Sequence, residues 1–188
     1  MSLDTPVFAL TSEVWDVLVI GGGNAALCAA MTAREAGASV LMLEASPKAF
    51  RGGNSRHTRN IRYLHRTGNA FLTGPYLEEE FWQDLLMITK GQTTEDLARF
   101  AIRESESIGP WMRDHGAMFQ PAMRGTLHLS RTNAFFLGGG KGLMNAYYAF
   151  AEKLGVGILY DTEAMDLELQ DGRFLSATVT HRGGPLRL

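Results

Sequence analysis

Cysteine is nearly absent: Cys28 is the only one in 188 residues. That excludes a disulfide framework and any zinc or iron–sulfur site built on cysteines, and no metal site is expected. No apolar run approaches the ~18 residues needed to cross a bilayer, so no transmembrane segment is expected. Neither sign of charge dominates. Eighteen Lys and Arg stand against 20 Asp and Glu, a net charge of −2. Without a basic excess, nucleic acid is not the expected partner. The N-terminus carries Asp4, Glu13 and Asp16 with no early Lys or Arg. That is not the pattern of a secretory signal, and the cytoplasm is the expected compartment. With 45% hydrophobic and 20% charged residues, the composition excludes disordered and collagen-like chains and leaves one modest globular domain or part of a larger one.

Acid is also missing locally. From Ala45 to Leu77 there is no Asp or Glu, while the same window holds Lys48, Arg51, Arg56, His57, Arg59, Arg62, His65 and Arg66. A second acid-free window runs from His115 to Phe150 and holds Arg124, His128, Arg131 and Lys141. Charge segregated in this way predicts a local positive field presented to an anion. The helical spacing of Arg56, Arg59, Arg62 and Arg66 also admits a solvated arginine face.

Residues 1–13 read as an arm and 14–188 as one α/β portion. Val14–Ile20 is apolar and β-branched, the pattern of a buried parallel strand. Gly21–Asn24 breaks it, a helix is expected over Asn24–Ala36 with Gly37 closing it, and Ser39–Leu43 is a second buried strand ending at Glu44. Strand, helix and strand in this order make a βαβ unit and imply a parallel sheet. Residues 45–75 read as a functional loop. Helices are expected over 76–89, 94–107 and 110–115, with Thr93 or Thr94 as a cap, and 116–137 as irregular chain. Gly138–Gly142 then opens a helix that runs to 154, and Val156–Tyr160 is a short strand. Met165, Leu167 and Leu169 alternate with Asp166, Glu168 and Gln170, which predicts a half-buried strand. Asp171-Gly172 predicts a type I′ hairpin, Phe174–Thr180 returns, and Gly183-Gly184-Pro185 turns into a third strand of a meander.

The run from Asp16 to Glu44 fits G-x-G-x-x-G/A with Gly21, Gly23 and Ala26. Gly21 permits the tight turn, Gly23 lets backbone approach a pyrophosphate, and Ala26 allows close helix–strand packing. The diphosphate would sit at the helix N-terminus, where free N–H groups and the dipole favour an anion. Glu44, at the end of the second strand, can accept the hydroxyl protons of an unphosphorylated ribose and would repel a 2′-phosphate. The unit alone serves FAD or NAD. The Arg51-Gly52-Gly53-Asn54-Ser55 loop, within ten residues of Glu44, favours FAD, because paired glycines expose consecutive N–H groups to a diphosphate. An NAD-dependent Rossmann dehydrogenase and a non-catalytic nucleotide-binding fragment remain as alternatives.

The βαβ with GGGNAA and Glu44, then RGGNSRHTRN, then LGGGKGLMNAYYAFAEKLGV and the hairpin, together resemble the fumarate reductase/succinate dehydrogenase flavoprotein family. The SRHTRNIRYLH continuation is most similar to its tricarballylate dehydrogenase branch. The resemblance implies a Rossmann-like FAD-binding domain with a helical insertion and a β-meander, followed in the family by a capping domain and a second FAD segment beyond these residues. It implies non-covalent FAD, since His57 falls two places past the covalent position of membrane-bound relatives. It also implies hydride exchange with a small polycarboxylate such as tricarballylate, or with another substrate in a fumarate reductase-like manner, and a separate electron-transfer protein as partner. Carried over by position, Gly21, Gly23, Asn24, Ala25 and Ala26 line the diphosphate, with Glu44 at the ribose and Ala45 beside it in sequence as a further cofactor-binding residue. Gly52, Gly53, Asn54 and Ser55 run along diphosphate and flavin, with Gly140 near the flavin and Ala164 at the adenine. Arg56, His57, Arg59, Arg62 and Arg131 are the candidate substrate residues. The family's proton-transfer arginine has no counterpart here, so no catalytic acid or base is assigned.

Overall fold

The computed structural model describes residues 14–123 and 128–188. The expected arm over 1–13, and Arg124, lie outside the described residues. In chain order the elements are β1 (Val17–Ile20), α1 (Asn24–Glu35), β2 (Val40–Leu43), β3 (Asn60–Ile61), α2 (Glu78–Thr89), α3 (Glu95–Glu104), α4 (Ile108–Asp114), β4 (Ala134–Phe135), α5 (Gly139–Leu154), β5 (Gly157–Leu159), β6 (Thr162–Gln170), β7 (Arg173–His181) and β8 (Gly184–Arg187). They fall into two compact units. One comprises the chain up to Arg56 with Tyr147–Leu188, the other His57–Ala146.

In the first unit β1, β2 and β5 form a parallel sheet with β2 in the centre. All four residues of β2 are buried, which is why its sequence is an unbroken apolar run and does not alternate. The helix α1 packs against β1 and β2 and buries Leu27, Ala30 and Met31, a spacing of three and one that places them on one helical face. It ends where Gly37 takes φ +93°, a left-handed position that glycine occupies without strain. Leu41, Leu43 and Leu159 of the parallel sheet pack with Ala177 and Val179 of β7, so the meander supplies this unit's core on that side. β1 is shorter than the apolar run suggested: Val14 is 98% exposed and pairing starts at Val17.

The antiparallel order is β6–β7–β8. Asp171 and Gly172 both have positive φ, 51° and 74°, as the type I′ turn requires. The second turn differs from expectation by one position. Its positive-φ pair is Arg182-Gly183, and Gly184 and Pro185 already belong to β8. The expectation of a half-buried β6 is corrected, because Met165, Leu167 and Leu169 are 61%, 44% and 64% exposed. Period-two alternation tells which side chains share a face and is silent on what covers it. Register shifts between Ala164 and Asp166 and between Glu168 and Leu169 also interrupt the alternation.

In the second unit Leu64, Trp82 and Ile102 are buried together, with Phe81, Leu85, Leu86 and Ala98 against them. A second cluster gathers Tyr63, Leu72 and Ala134 with Ile61, Phe71, Ile108 and Phe119. The loop expected over 45–75 pairs briefly, as β3 runs antiparallel to β4. Thr94 stands at the N-cap of α3 without a side-chain bond. Glu95 and Asp96 in the first turn complement the helix dipole there. Among the described residues no helix is long and apolar enough to cross a membrane.

Leu43 is 1% exposed at the centre of the first unit's core. Leu43→Ala is expected to lower unfolding free energy by about 2–5 kcal/mol, read as a fall in the denaturant midpoint at constant m-value.

Candidate functional site

The turn after β1 is built from backbone. Gly21 has φ +104°, and its N–H donates to the Leu43 carbonyl at 2.8 Å. Gly23 is the N-cap of α1 and supplies no side-chain cap, and α1 has no acid in its first turn. The N-terminal donors of this helix therefore face no negative group of their own element, which is the condition for taking an anion. The Asn24 N–H donates to Ser55 Oγ at 3.0 Å. That bond fastens the Arg51–Ser55 loop to the fingerprint turn. A Cβ built on Gly23 would meet Ser55 Oγ at 3.5 Å and the Gly52 carbonyl at 3.8 Å, ordinary contacts. Glycine there leaves an open cradle between the two loops.

Glu44 is 6% exposed. Its Oε1 accepts the Ser46 N–H at 2.8 Å, and its Oε2 accepts the Gly52 N–H at 3.1 Å and the Tyr148 hydroxyl at 3.3 Å. Its backbone is held as firmly, the N–H donating to Leu159 and the carbonyl accepting from Thr162. The carboxylate placed by sequence at the ribose is thus also the organiser of the second glycine loop. Gly52 and Gly53 both have positive φ, 101° and 50°, so this backbone requires glycine twice in succession. Ala45 is exposed just beyond β2, Ala25 and Asn54 are exposed at their loops, and Ala26 is half-buried in the first turn of α1. Ala164 lies in β6, two residues after Thr162.

Tyr148 was missed from the sequence at this site, and Arg51 was named only as part of its loop. Tyr148 of α5 shares its single hydroxyl proton in a three-centre arrangement, principally with the Gly22 carbonyl at 2.9 Å and more weakly with Glu44 Oε2 at 3.3 Å. The Arg51 guanidinium lies over the Tyr148 ring at 4.5 Å. The available signal was a tyrosine on the buried face of a helix, because a buried phenol needs a partner. Cys28 carries no chemistry here: burial pushes its thiol up to about 11, away from the reactive thiolate.

The substrate candidates separate by their partners. Arg56, in the first unit, reaches the Ala49 carbonyl at 3.5 Å and lies 5.8 Å from the Phe50 ring centroid. In the second unit, Arg62 bonds Asp84 at 3.1 Å, Asn133 at 3.2 Å and Tyr76 at 3.4 Å. Arg66 makes a bidentate pair with Glu106. Arg131 makes another with Glu80 and also donates to the Pro75 carbonyl. His57 and Arg59 are exposed and have no acidic partner among the described residues. Their segment is nevertheless fixed: the Thr58 carbonyl accepts the Gly140 N–H at 2.7 Å and the Arg59 carbonyl accepts the Phe136 N–H at 2.9 Å. Three arginines of the acid-free windows, Arg62, Arg66 and Arg131, are therefore neutralised in space, by acids from α2 and from the turn before α4.

The residues present fit a dinucleotide's diphosphate. The cradle is open, α1 supplies no side-chain cap of its own, and among the described residues the α1 N-terminus meets a hydroxyl, Ser55 Oγ, and no carboxylate. The sequence profile described as "FAD binding domain" matches residues 16–188. Digoxin reductase of Eggerthella lenta is 33% identical over 114 residues, 57% of this chain and 20% of its own length. NADH:fumarate oxidoreductase of Klebsiella pneumoniae is 28% identical over 163 residues, 81% of this chain and 17% of its own. The chain thus spans about a fifth of the length of these relatives. A flavocytochrome c3 fumarate reductase, solved in an open conformation, superposes with a TM-score of 0.76 at 21% identity, over 96% of this chain and 33% of that one.

The Arg131 guanidinium holds the Glu80 carboxyl below its ordinary value. A lowered folded value contributes stability in full above the unfolded value, and that contribution is lost as pH falls through the folded one. Both side chains are about 40% exposed, so the pair is worth about 1 kcal/mol or less. Glu80→Gln is expected to lower the melting temperature slightly at neutral pH, with the difference from wild type vanishing in acid below the usual carboxylate range.

Proposed function

The chain belongs to the FAD binding domain family, among the fumarate reductase-like flavoproteins, and from that premise we propose that it is the cofactor-holding portion of an FAD-dependent oxidoreductase acting on the CH–CH bond of a small polycarboxylate, tricarballylate being the substrate that the sequence resemblance favours. The observation that carries the cofactor assignment is the pair of glycine loops joined to each other. The fingerprint turn and the Gly52-Gly53 loop are linked through Asn24 and Ser55, and Glu44 holds the second loop through Gly52. A single glycine turn suits any dinucleotide, whereas two joined loops embrace a diphosphate from both sides and extend toward the ring system.

When bound, FAD supplies the two-electron redox chemistry. The chain's own residues bind and orient. The α1 N-terminus and the Gly23 N–H hold the diphosphate, Glu44 presents a carboxylate edge to the ribose, and the backbone near Ala164 meets the adenine. His57 is exposed on its loop and forms no covalent link in this reading.

For the substrate, Arg59 and His57 support a carboxylate better than their neighbours do. Arg62, Arg66 and Arg131 already have carboxylate partners within the chain, whereas Arg59 is exposed, has no acidic partner among the described residues, and lies on a segment whose backbone is pinned. A guanidinium with no internal acid is available for bidentate contact with a substrate carboxylate. A separate electron-transfer protein completes the proposed cycle.

Cofactor extraction from the intact protein and an absorbance spectrum test the first claim. Released, flavin-absorbing FAD is expected, and a folded protein that takes NAD and no flavin overturns it. Gly23→Val is expected to unfold nearly as wild type does, since a Cβ fits at that position, yet to lose FAD affinity at least tenfold because the side chain fills the diphosphate path. Arg59→Ala is expected to lower kcat/KM for tricarballylate on the order of tenfold or more with FAD content unchanged, the effect of a lost charged contact. The same substitution at Arg62 is expected to register in thermal stability instead.

A further inference from the structure

The Gly22 carbonyl and the Gly23 N–H belong to one peptide unit. The described chain has no cis peptide bond, and in a planar trans peptide these two groups point to opposite sides. Whatever fixes the carbonyl therefore aims the N–H. The carbonyl is fixed by the Tyr148 hydroxyl at 2.9 Å, and Tyr148 is wholly buried. Burial, followed by the charge of Glu44, pushes the phenol well above its ordinary range, so it remains a donor. Its ring is held in turn by the Arg51 guanidinium stacked over it. A Cβ on Gly22 would run into the Tyr148 hydroxyl oxygen and the Glu44 carboxylate. The middle glycine of Gly21-Gly22-Gly23 is thus required by the phenol, whereas its neighbours serve the turn and the cradle.

We propose that Tyr148 is a positioning residue for the cofactor's diphosphate: by holding the Gly22 carbonyl it turns the Gly23 N–H toward the phosphates, and its contact with Glu44 ties that turn to the ribose carboxylate. The inference rests on the reading of these loops as the dinucleotide cradle. Tyr148 touches no reacting atom. It acts through a peptide plane 126 positions away in sequence.

The test is calorimetric titration of the intact protein with FAD, ADP and adenosine. Tyr148→Phe is expected to weaken FAD and ADP about tenfold, the effect of one misdirected hydrogen bond to a charged group, and to leave adenosine, which has no phosphate, unchanged. Glu44→Gln is expected to weaken adenosine as well. Tyr148→Met also removes the hydroxyl while filling the buried space and should reproduce the Tyr148→Phe order, which keeps the test available if the first variant folds poorly. Equal losses for all three ligands would reduce Tyr148 to a packing role and overturn the proposal, as would unchanged FAD and ADP affinity. If Glu44→Gln leaves adenosine binding intact, the ribose assignment fails and the Tyr148 assignment stands. If the wild-type protein binds neither FAD nor ADP, the cradle reading and this inference fall together.

Discussion

A carboxylate taken out of water must be surrounded by donors, because its desolvation is otherwise too costly to sustain. Glu44 meets that requirement at the end of β2 with the N–H groups of Ser46 and Gly52 and the hydroxyl of Tyr148. Each donor comes from a different structural setting: the chain leaving the strand, the second glycine loop, and the helix α5. The requirement thus becomes a constraint on three segments at once. The Gly52 N–H can reach Oε2 only with its loop in a left-handed conformation, and Tyr148 can reach both Oε2 and the Gly22 carbonyl only if position 22 lacks a Cβ. The glycines of this site are therefore of two kinds. Some hold a left-handed backbone, as Gly21, Gly52 and Gly53 do, and Gly22 leaves room for a neighbouring side chain.

Charge is arranged by a different rule. The arginines of the second unit stand in an acid-free stretch of sequence, yet Asp84, Glu80 and Glu106 reach back to Arg62, Arg131 and Arg66 from 22 to 51 residues away. These are partly exposed pairs, and they contribute little stability individually. Their larger effect is to remove charge from the field. Arg59 is left without an acidic partner among the described residues, on a segment whose carbonyls are bound by Phe136 and Gly140.

These two arrangements mark what was legible in the sequence. The βαβ unit, the end of α1 at Gly37 and the Asp171-Gly172 hairpin follow from interactions within a few residues, and such signals are written locally. The glycines of both loops were found from their spacing, and the backbone itself requires glycine at Gly21, Gly52 and Gly53. Tyr148 was not found, because its partners lie 104 and 126 positions away and one tyrosine on an apolar helical face resembles another. The arginine pairs escaped for the same reason. The exposed stripe on β6 was misjudged because alternation specifies a face and not the layer that covers it.

The contrast between cradle and loop bears on how a cofactor-binding scaffold accommodates different substrates. In the cradle nearly every group is held from two directions. Ser55 closes on Asn24, Glu44 closes on Gly52, and Tyr148 closes on Gly22. A change at any of these positions disturbs a partner as well as the ligand. At His57 and Arg59 the backbone is equally constrained, through Thr58 and Arg59 carbonyls, but both side chains are exposed and have no acidic partner among the described residues. Substitution there changes the chemistry offered to solvent without leaving a buried group unsatisfied, and surface substitutions of that kind alter stability by only about 0.5 kcal/mol. A rigid backbone presenting unconstrained side chains is the arrangement in which specificity can change while cofactor binding does not.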